Sequence, residues 1–124
     1  MKQNLLIVDD QKDVCLALSR YFQITQGFDV SYACELEEAE ALISENSYSM
    51  VITDLHLTPI RGNEGLEIVR LLRHQSPDTK IIMLTAYGTP DVERESLGCG
   101  ASVILNKPLT LSSLTTVMRE ILGR

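Results

Sequence analysis

The chain has 124 residues, 44% of them hydrophobic and 23% charged, with a formal net charge of −6. This is the composition of an ordinary soluble globule and the length of one domain, residues 1–124, able to bury about two-thirds of its unfolded surface. An acidic balance without a basic stripe excludes a direct grip on nucleic-acid phosphates. No apolar run nears the roughly 20 residues that cross a bilayer, so a cytoplasmic protein with no membrane contact is expected.

Leu5-Leu6-Ile7-Val8 is a short apolar block that runs into Asp9-Asp10. Asp10 or Gln11 then opens a helix in which Val14, Leu18 and Tyr21/Phe22 recur about every fourth residue, with Gly27 closing it. Phe28 to Ala33 alternates apolar and polar residues and reads as a half-exposed edge strand. Leu36, Ala39, Leu42 and Ile43 form the apolar stripe of a second helix whose other faces carry glutamates. Met50-Val51-Ile52-Thr53 is a second unalternating block and runs into Asp54. A connection rich in Pro and Gly follows, from His56 to Gly65, longer than the usual two to six residues. It suits a lid, a partner-contact loop or a tolerated insertion.

Leu66, Val69 and Leu71/Leu72 mark a third helix that ends before Pro77. Ile81-Ile82-Met83-Leu84 runs into Thr85. Thr89-Pro90 starts a short fourth helix with a capping hydroxyl and a proline at its first position, stopped by Gly98 and Gly100. Val103-Ile104-Leu105-Asn106 runs into Lys107-Pro108, and Thr110 caps a last helix with Leu111, Leu114, Val117/Met118 and Ile121/Leu122 on its apolar face. Apolar blocks without alternation are strands buried on both faces, the habit of parallel sheets. Five strands alternating with five helices, joined by right-handed crossovers, give a doubly wound α/β domain. The three cysteines, Cys15, Cys34 and Cys99, are widely and irregularly spaced and read as small hydrophobes.

In an open parallel sheet the ligand crevice lies beyond the carboxyl ends of the strands. Asp9, Asp10, Asp54, Thr85 and Lys107 all follow strand ends, so three carboxylates, a hydroxyl and an ammonium should meet along one rim. Two carboxylates about 4 Å apart repel by roughly 4 kcal/mol at an effective dielectric near 20. A hard divalent cation with oxygen ligands, Mg²⁺ or Mn²⁺ in its place, relieves that repulsion. With such an ion, an Asp54 oxygen can attack a phosphoryl group, while Lys107 and Thr85 bind the phosphoryl oxygens. A cis Lys107–Pro108 bond would hold the lysine aimed inward.

The pieces LLIVDD, VITDL, IIMLTAYG and GASVILNKP, in this order, resemble the receiver domain of two-component response regulators over essentially the whole chain. The resemblance implies a flavodoxin-like five-stranded sheet of order 2-1-3-4-5. It implies that Asp54 accepts a phosphoryl group from a sensor histidine kinase or phosphotransfer protein. It also implies that Asp9, Asp10, Asp54 and the backbone carbonyl of His56 surround the Mg²⁺. The domain would be a signalling switch that catalyses its own phosphorylation and dephosphorylation. The surface of the fourth helix, fifth strand and fifth helix would then control an output domain, a downstream protein or a phosphorylation-dependent homodimer.

The chain departs from this pattern at three places. Ile104 stands where receivers often carry a switching aromatic residue. Pro59 and Gly65 fall later after Asp54 than usual, so the loop is about three residues longer by that comparison. His56 and Tyr87 stand two residues beyond Asp54 and Thr85, where bulk would restrict the attacking water and prolong the acyl phosphate. A flavin-type mononucleotide binder, a Mg²⁺-dependent phosphohydrolase and an unphosphorylated scaffold are the competing readings. The first lacks a Ser/Thr/Gly phosphate loop after its first strand. The second lacks an acid two residues after the nucleophile and room for a cap.

Overall fold

The computed structural model describes residues 3–58 and 62–124. Among these, β1 (Asn4–Val8), α1 (Lys12–Gln26), β2 (Asp29–Ala33), α2 (Leu36–Glu45) and β3 (Met50–Asp54) form the first half. The second half is α3 (Glu64–Gln75), β4 (Lys80–Thr85), α4 (Pro90–Cys99), β5 (Val103–Asn106) and α5 (Leu111–Leu122). The strands make one parallel sheet in the order β2-β1-β3-β4-β5. Pro59 and the rest of residues 59–61, part of the long connection after Asp54, lie outside the described residues.

Successive strand residues face opposite sides, so each apolar block feeds two cores. Leu5, Ile7, Met50, Ile52, Ile82 and Leu84 pack with Cys15, Leu18 and Phe22 of α1 and Leu114 and Met118 of α5. Leu6, Val8, Val51, Ile81 and Met83 pack with Ala39 and Ile43 of α2 and Leu66, Ile68, Val69 and Leu72 of α3. Two helices therefore cover one face, while α2, α3 and α4 cover the other. No helix among the described residues is long and apolar enough to cross a membrane.

β3 is buried throughout, and β1 and β4 are buried after an exposed first residue, whereas β2 is half-exposed, as its alternation indicates. β5 differs from its apolar block: Val103, Ile104 and Leu105 are each half-buried. Its position at the other edge leaves it fewer neighbours than the unalternating composition implies. Of the two residues expected to open α1, Gln11 rather than Asp10 occupies the N-cap, without a side-chain cap. One helix boundary differs. Gly98 does not stop α4 but lies within it, and the terminator is Gly100 in the left-handed region at φ 119°. The capping hydroxyls of Thr89 and Thr110 stand as expected, accepting from Val92 N and Ser113 N.

α4 is the weakly seated helix. Its only fully buried residue is Ser96, helped by partly buried Val92 and Cys99. α3, by contrast, buries Leu66, Ile68, Val69 and Leu72, each contributing about 1.5–3 kcal/mol. The far end of α4 is tied down by Arg73, whose Nε donates to Gly100 O at 3.0 Å. The same guanidinium donates to the carbonyls of Pro77 and Thr79.

Candidate functional site

The sheet register brings the strand ends level. Val8 is opposite Thr53, Asp54 opposite Leu84, and Thr85 opposite Asn106. The residues that follow are held by backbone bonds that continue the ladder: Asp9 N to Ala33 O at 3.1 Å, and Lys107 N to Thr85 O at 2.8 Å. Asp9, Asp54 and Thr85 are buried, and Asp10 is exposed.

Asp9, Asp10 and Asp54 offer oxygens that all lie within 4.8 Å of one another. The Lys107 ammonium enters from β5 to lie 2.7 Å from Asp54 Oδ1 and 3.3 Å from Asp9 Oδ2. The Lys107–Pro108 peptide is cis. The other oxygen of Asp9, Oδ1, accepts from Gln11 N at 2.9 Å. Burial pushes the Asp54 carboxyl up to about 7; Lys107 opposes the rise, and Asp9 adds to it. Asp10 is raised by partial burial and by the charge of Asp9. Partial burial works against the Lys107 charge, yet its pairing with Asp54 and Asp9 prevails and holds the ammonium above its usual value.

Three acids against one ammonium leave the cluster two negative charges in excess when all are ionised. All-oxygen donors, one of them exposed, fit a hard divalent cation that keeps several waters. Of the expected metal ligands, Asp9, Asp10 and Asp54 thus converge.

Asp10, Asp54, His56, Thr85, Tyr87 and Lys107 line one cleft of about 390 Å³. A larger open depression of about 580 Å³ lies at the opposite end of the strands, around Ser47, Pro77 and Thr79, without the converging carboxylates. Thr85 Oγ1 accepts from Tyr87 N at 3.1 Å, which leaves its hydroxyl proton available to donate. Tyr87 is 77% exposed, and its ring borders the cleft. It stands 6.3 Å from the His56 ring across the mouth of the cleft, and His56 Nδ1 contacts the Gly62 carbonyl. Ile104 is opposite Met83 and packs, half-buried, against the core beneath α3 and α4.

Two supports of the cleft are given no structural role by the sequence, although Gly65 marks the lengthened loop there. Glu64, buried at the start of α3, accepts from Leu57 N at 3.2 Å and from Thr58 Oγ1 at 2.6 Å. It thereby clamps the connection that leaves Asp54. Gly65 lies so close to β3 that a Cβ there would sit 2.4 Å from Asp54 O and 2.7 Å from Leu55 Cα. A glycine and an acid within a polar loop read only as loop residues until the strand beside them is placed.

A parallel five-stranded sheet of this order, with acids and a lysine at its carboxyl rim, defines a doubly wound α/β domain with an acidic site at the strand ends. The response regulator receiver domain model matches residues 5–119, and the chain belongs to that family. It is 32% identical over 116 residues to the response regulator protein PilR of Pseudomonas aeruginosa; that match covers 91% of this chain but 24% of PilR. The chain therefore spans about a quarter of that relative. A CheY-like receiver domain protein from Methanospirillum hungatei superposes with a TM-score of 0.90 at 25% identity, covering 99% of this chain and 95% of that one. A response regulator from Burkholderia pseudomallei, solved with a phosphorylated aspartic acid, a calcium ion and citrate, gives a TM-score of 0.82 at 26% identity. That match covers 98% of this chain and 72% of its own. The domain is flavodoxin-like and belongs to two-component signalling.

Proposed function

We propose that this receiver domain accepts a phosphoryl group on Asp54 from the phosphohistidine of a sensor histidine kinase or phosphotransfer protein. The observation that carries the reading is the convergence of Asp54 with Asp9, Asp10 and Lys107 in a cleft that Thr85 also lines. A carboxylate oxygen of Asp54 forms the new P–O bond as the P–N bond breaks, and the departing imidazole takes a proton. Asp9, Asp10, Asp54 and the His56 backbone carbonyl would hold Mg²⁺, or Mn²⁺ in its place, which would supply positive charge to the phosphoryl oxygens when bound. The Lys107 ammonium transfers its contact from Asp54 Oδ1 to one phosphoryl oxygen, and the Thr85 hydroxyl donates to another. The domain acts on its own side chain and is a switch rather than an enzyme with an external substrate. His56 and Tyr87 flank the mouth of the cleft and restrict the water that reverses the reaction.

The Thr85 movement is transmitted without an aromatic partner at Ile104. Because the Tyr87 amide is bonded to Thr85 Oγ1, drawing Thr85 inward draws the β4–α4 connection with it. α4 is lightly anchored and yields. Its surface with β5 and α5 changes affinity for an output domain or protein by population shift. The test is incubation with acetyl phosphate and Mg²⁺ followed by intact mass. A phosphoryl-sized gain should appear, vanish with EDTA, and be absent from an Asp54→Ala variant that still melts cooperatively. A gain that persists in Asp54→Ala would overturn the assignment.

A further inference from the structure

Cys15 is wholly buried in α1, and its thiol donates to the carbonyl of Asp9 at 3.3 Å and faces that of Ala33 at 3.8 Å. The residue after Ala33 is Cys34, half-buried and packed against the same core cluster that contains Cys15. Because the Cys15 sulfur lies 3.8 Å from the carbonyl that leads directly into Cys34, the fold brings close together two cysteines that are 19 positions apart in sequence. Cys34 precedes the amino end of α2, and its own amide donates to Glu38 Oε1 at 3.1 Å. It also lines a cleft of about 290 Å³ with Glu35, Glu37, Leu57 and Glu64. A small uncharged oxidant enters an acidic cleft without the Coulombic penalty that an anion meets.

We propose that Cys15 and Cys34 form a hydroperoxide-oxidisable pair, whose disulfide ties α1 to the end of β2 immediately behind Asp9. In the first step the Cys34 sulfur attacks the peroxide. The O–O bond breaks, one oxygen stays as a sulfenic acid, and the other leaves as water or an alcohol. In the second step the Cys15 sulfur displaces that hydroxyl; an S–S bond forms and the thiol proton leaves with the oxygen as water. The roles follow from position. Cys34 has access to solvent, whereas Cys15 is wholly buried and is reached only from within the protein. Closing the disulfide removes the donor that Cys15 offers to the Asp9 carbonyl. The first of the clustered acids is thereby released from its support.

The experiment oxidises the purified chain with hydrogen peroxide and maps thiols after unfolding in acid. The expected result is a mass lower by two hydrogens and a fall from three free thiols to one, the survivor being Cys99. A single cross-linked peptide should join Cys15 to Cys34, and reduction should reverse all of this. Cys34→Ser should abolish the cross-link, and Cys99→Ser should leave it unchanged. Oxygen addition without cross-linking, or intermolecular dimers through Cys99, would overturn the pairing. A second arm rests on the metal-binding reading above: oxidised protein should gain less thermal stability from Mg²⁺ than reduced protein. An intact cross-link with equal Mg²⁺ gain would keep the dithiol and overturn its link to the acids. No Mg²⁺ gain in either form would instead fault the metal reading.

Discussion

Asp54 is a carboxyl that burial holds near neutrality against the pull of the ammonium beside it. An acid whose folded pKa lies above its unfolded value stabilises the fold fully below the unfolded value. That stability is lost as pH rises through the folded one. For Asp54 the window runs from the ordinary 3.8 to about 7. Asp54→Asn keeps the shape of the protonated acid and does not titrate. In urea unfolding with EDTA, the two proteins should therefore be similar near pH 4. The wild type should fall behind by on the order of 2–4 kcal/mol by pH 8, and parallel pH profiles would refute this. The residues that carry the site were legible because they end apolar blocks, and a parallel sheet sends such ends to one rim. The role of Glu64 and the nearness of Cys15 to the end of β2 were not legible. Each depends on which connections lie side by side, and nothing in residue spacing records that.

At the scale of elements, the contrast between α3 and α4 organises the domain. α3 is pressed onto the end of β3 through Gly65, where any Cβ would meet the backbone of Asp54 and Leu55 rather than a flexible side chain. Gly65→Ala should cost about 2–3 kcal/mol in denaturant unfolding and slow Asp54 phosphorylation, because the strand end must shift to admit the methyl. Gly98, read from sequence as a helix stop, is an exposed interior residue of α4 with open space where a Cβ would go. Gly98→Ala should therefore stabilise the protein by about 0.5–1 kcal/mol, and a loss of stability would show that the helix needs that glycine. Glycine spacing alone does not distinguish these cases. Gly100 is fixed by its left-handed backbone and by the Arg73 side chain, whose Cγ would lie 2.5 Å from any Cβ added there. Neither feature is written in the local sequence.

For the whole molecule, the strand pattern announced a parallel sheet, but strand order came from family resemblance, since periodicity does not say which neighbours pair. That order gives the acids their thermodynamic reach. Asp9 and Asp10 follow β1 and Asp54 ends β3, so a cation among them ties two neighbouring strands together, beside the Lys107 ammonium that crosses from β5. A ligand that binds only the folded state stabilises the entire cooperative unit. At a hundredfold excess over its dissociation constant, Mg²⁺ should add about 2.7 kcal/mol, a rise in Tm of roughly 10 °C for a domain of this size. Asp9→Asn should flatten the response by removing one charge from the cluster. Lys107→Ala should lower Tm without Mg²⁺, because two acids lose their counterion, yet it should retain or enlarge the Mg²⁺ increment. A response that is unsaturable, or identical in wild type and Asp9→Asn, would mean the ion acts by general screening of an acidic surface rather than within this cluster.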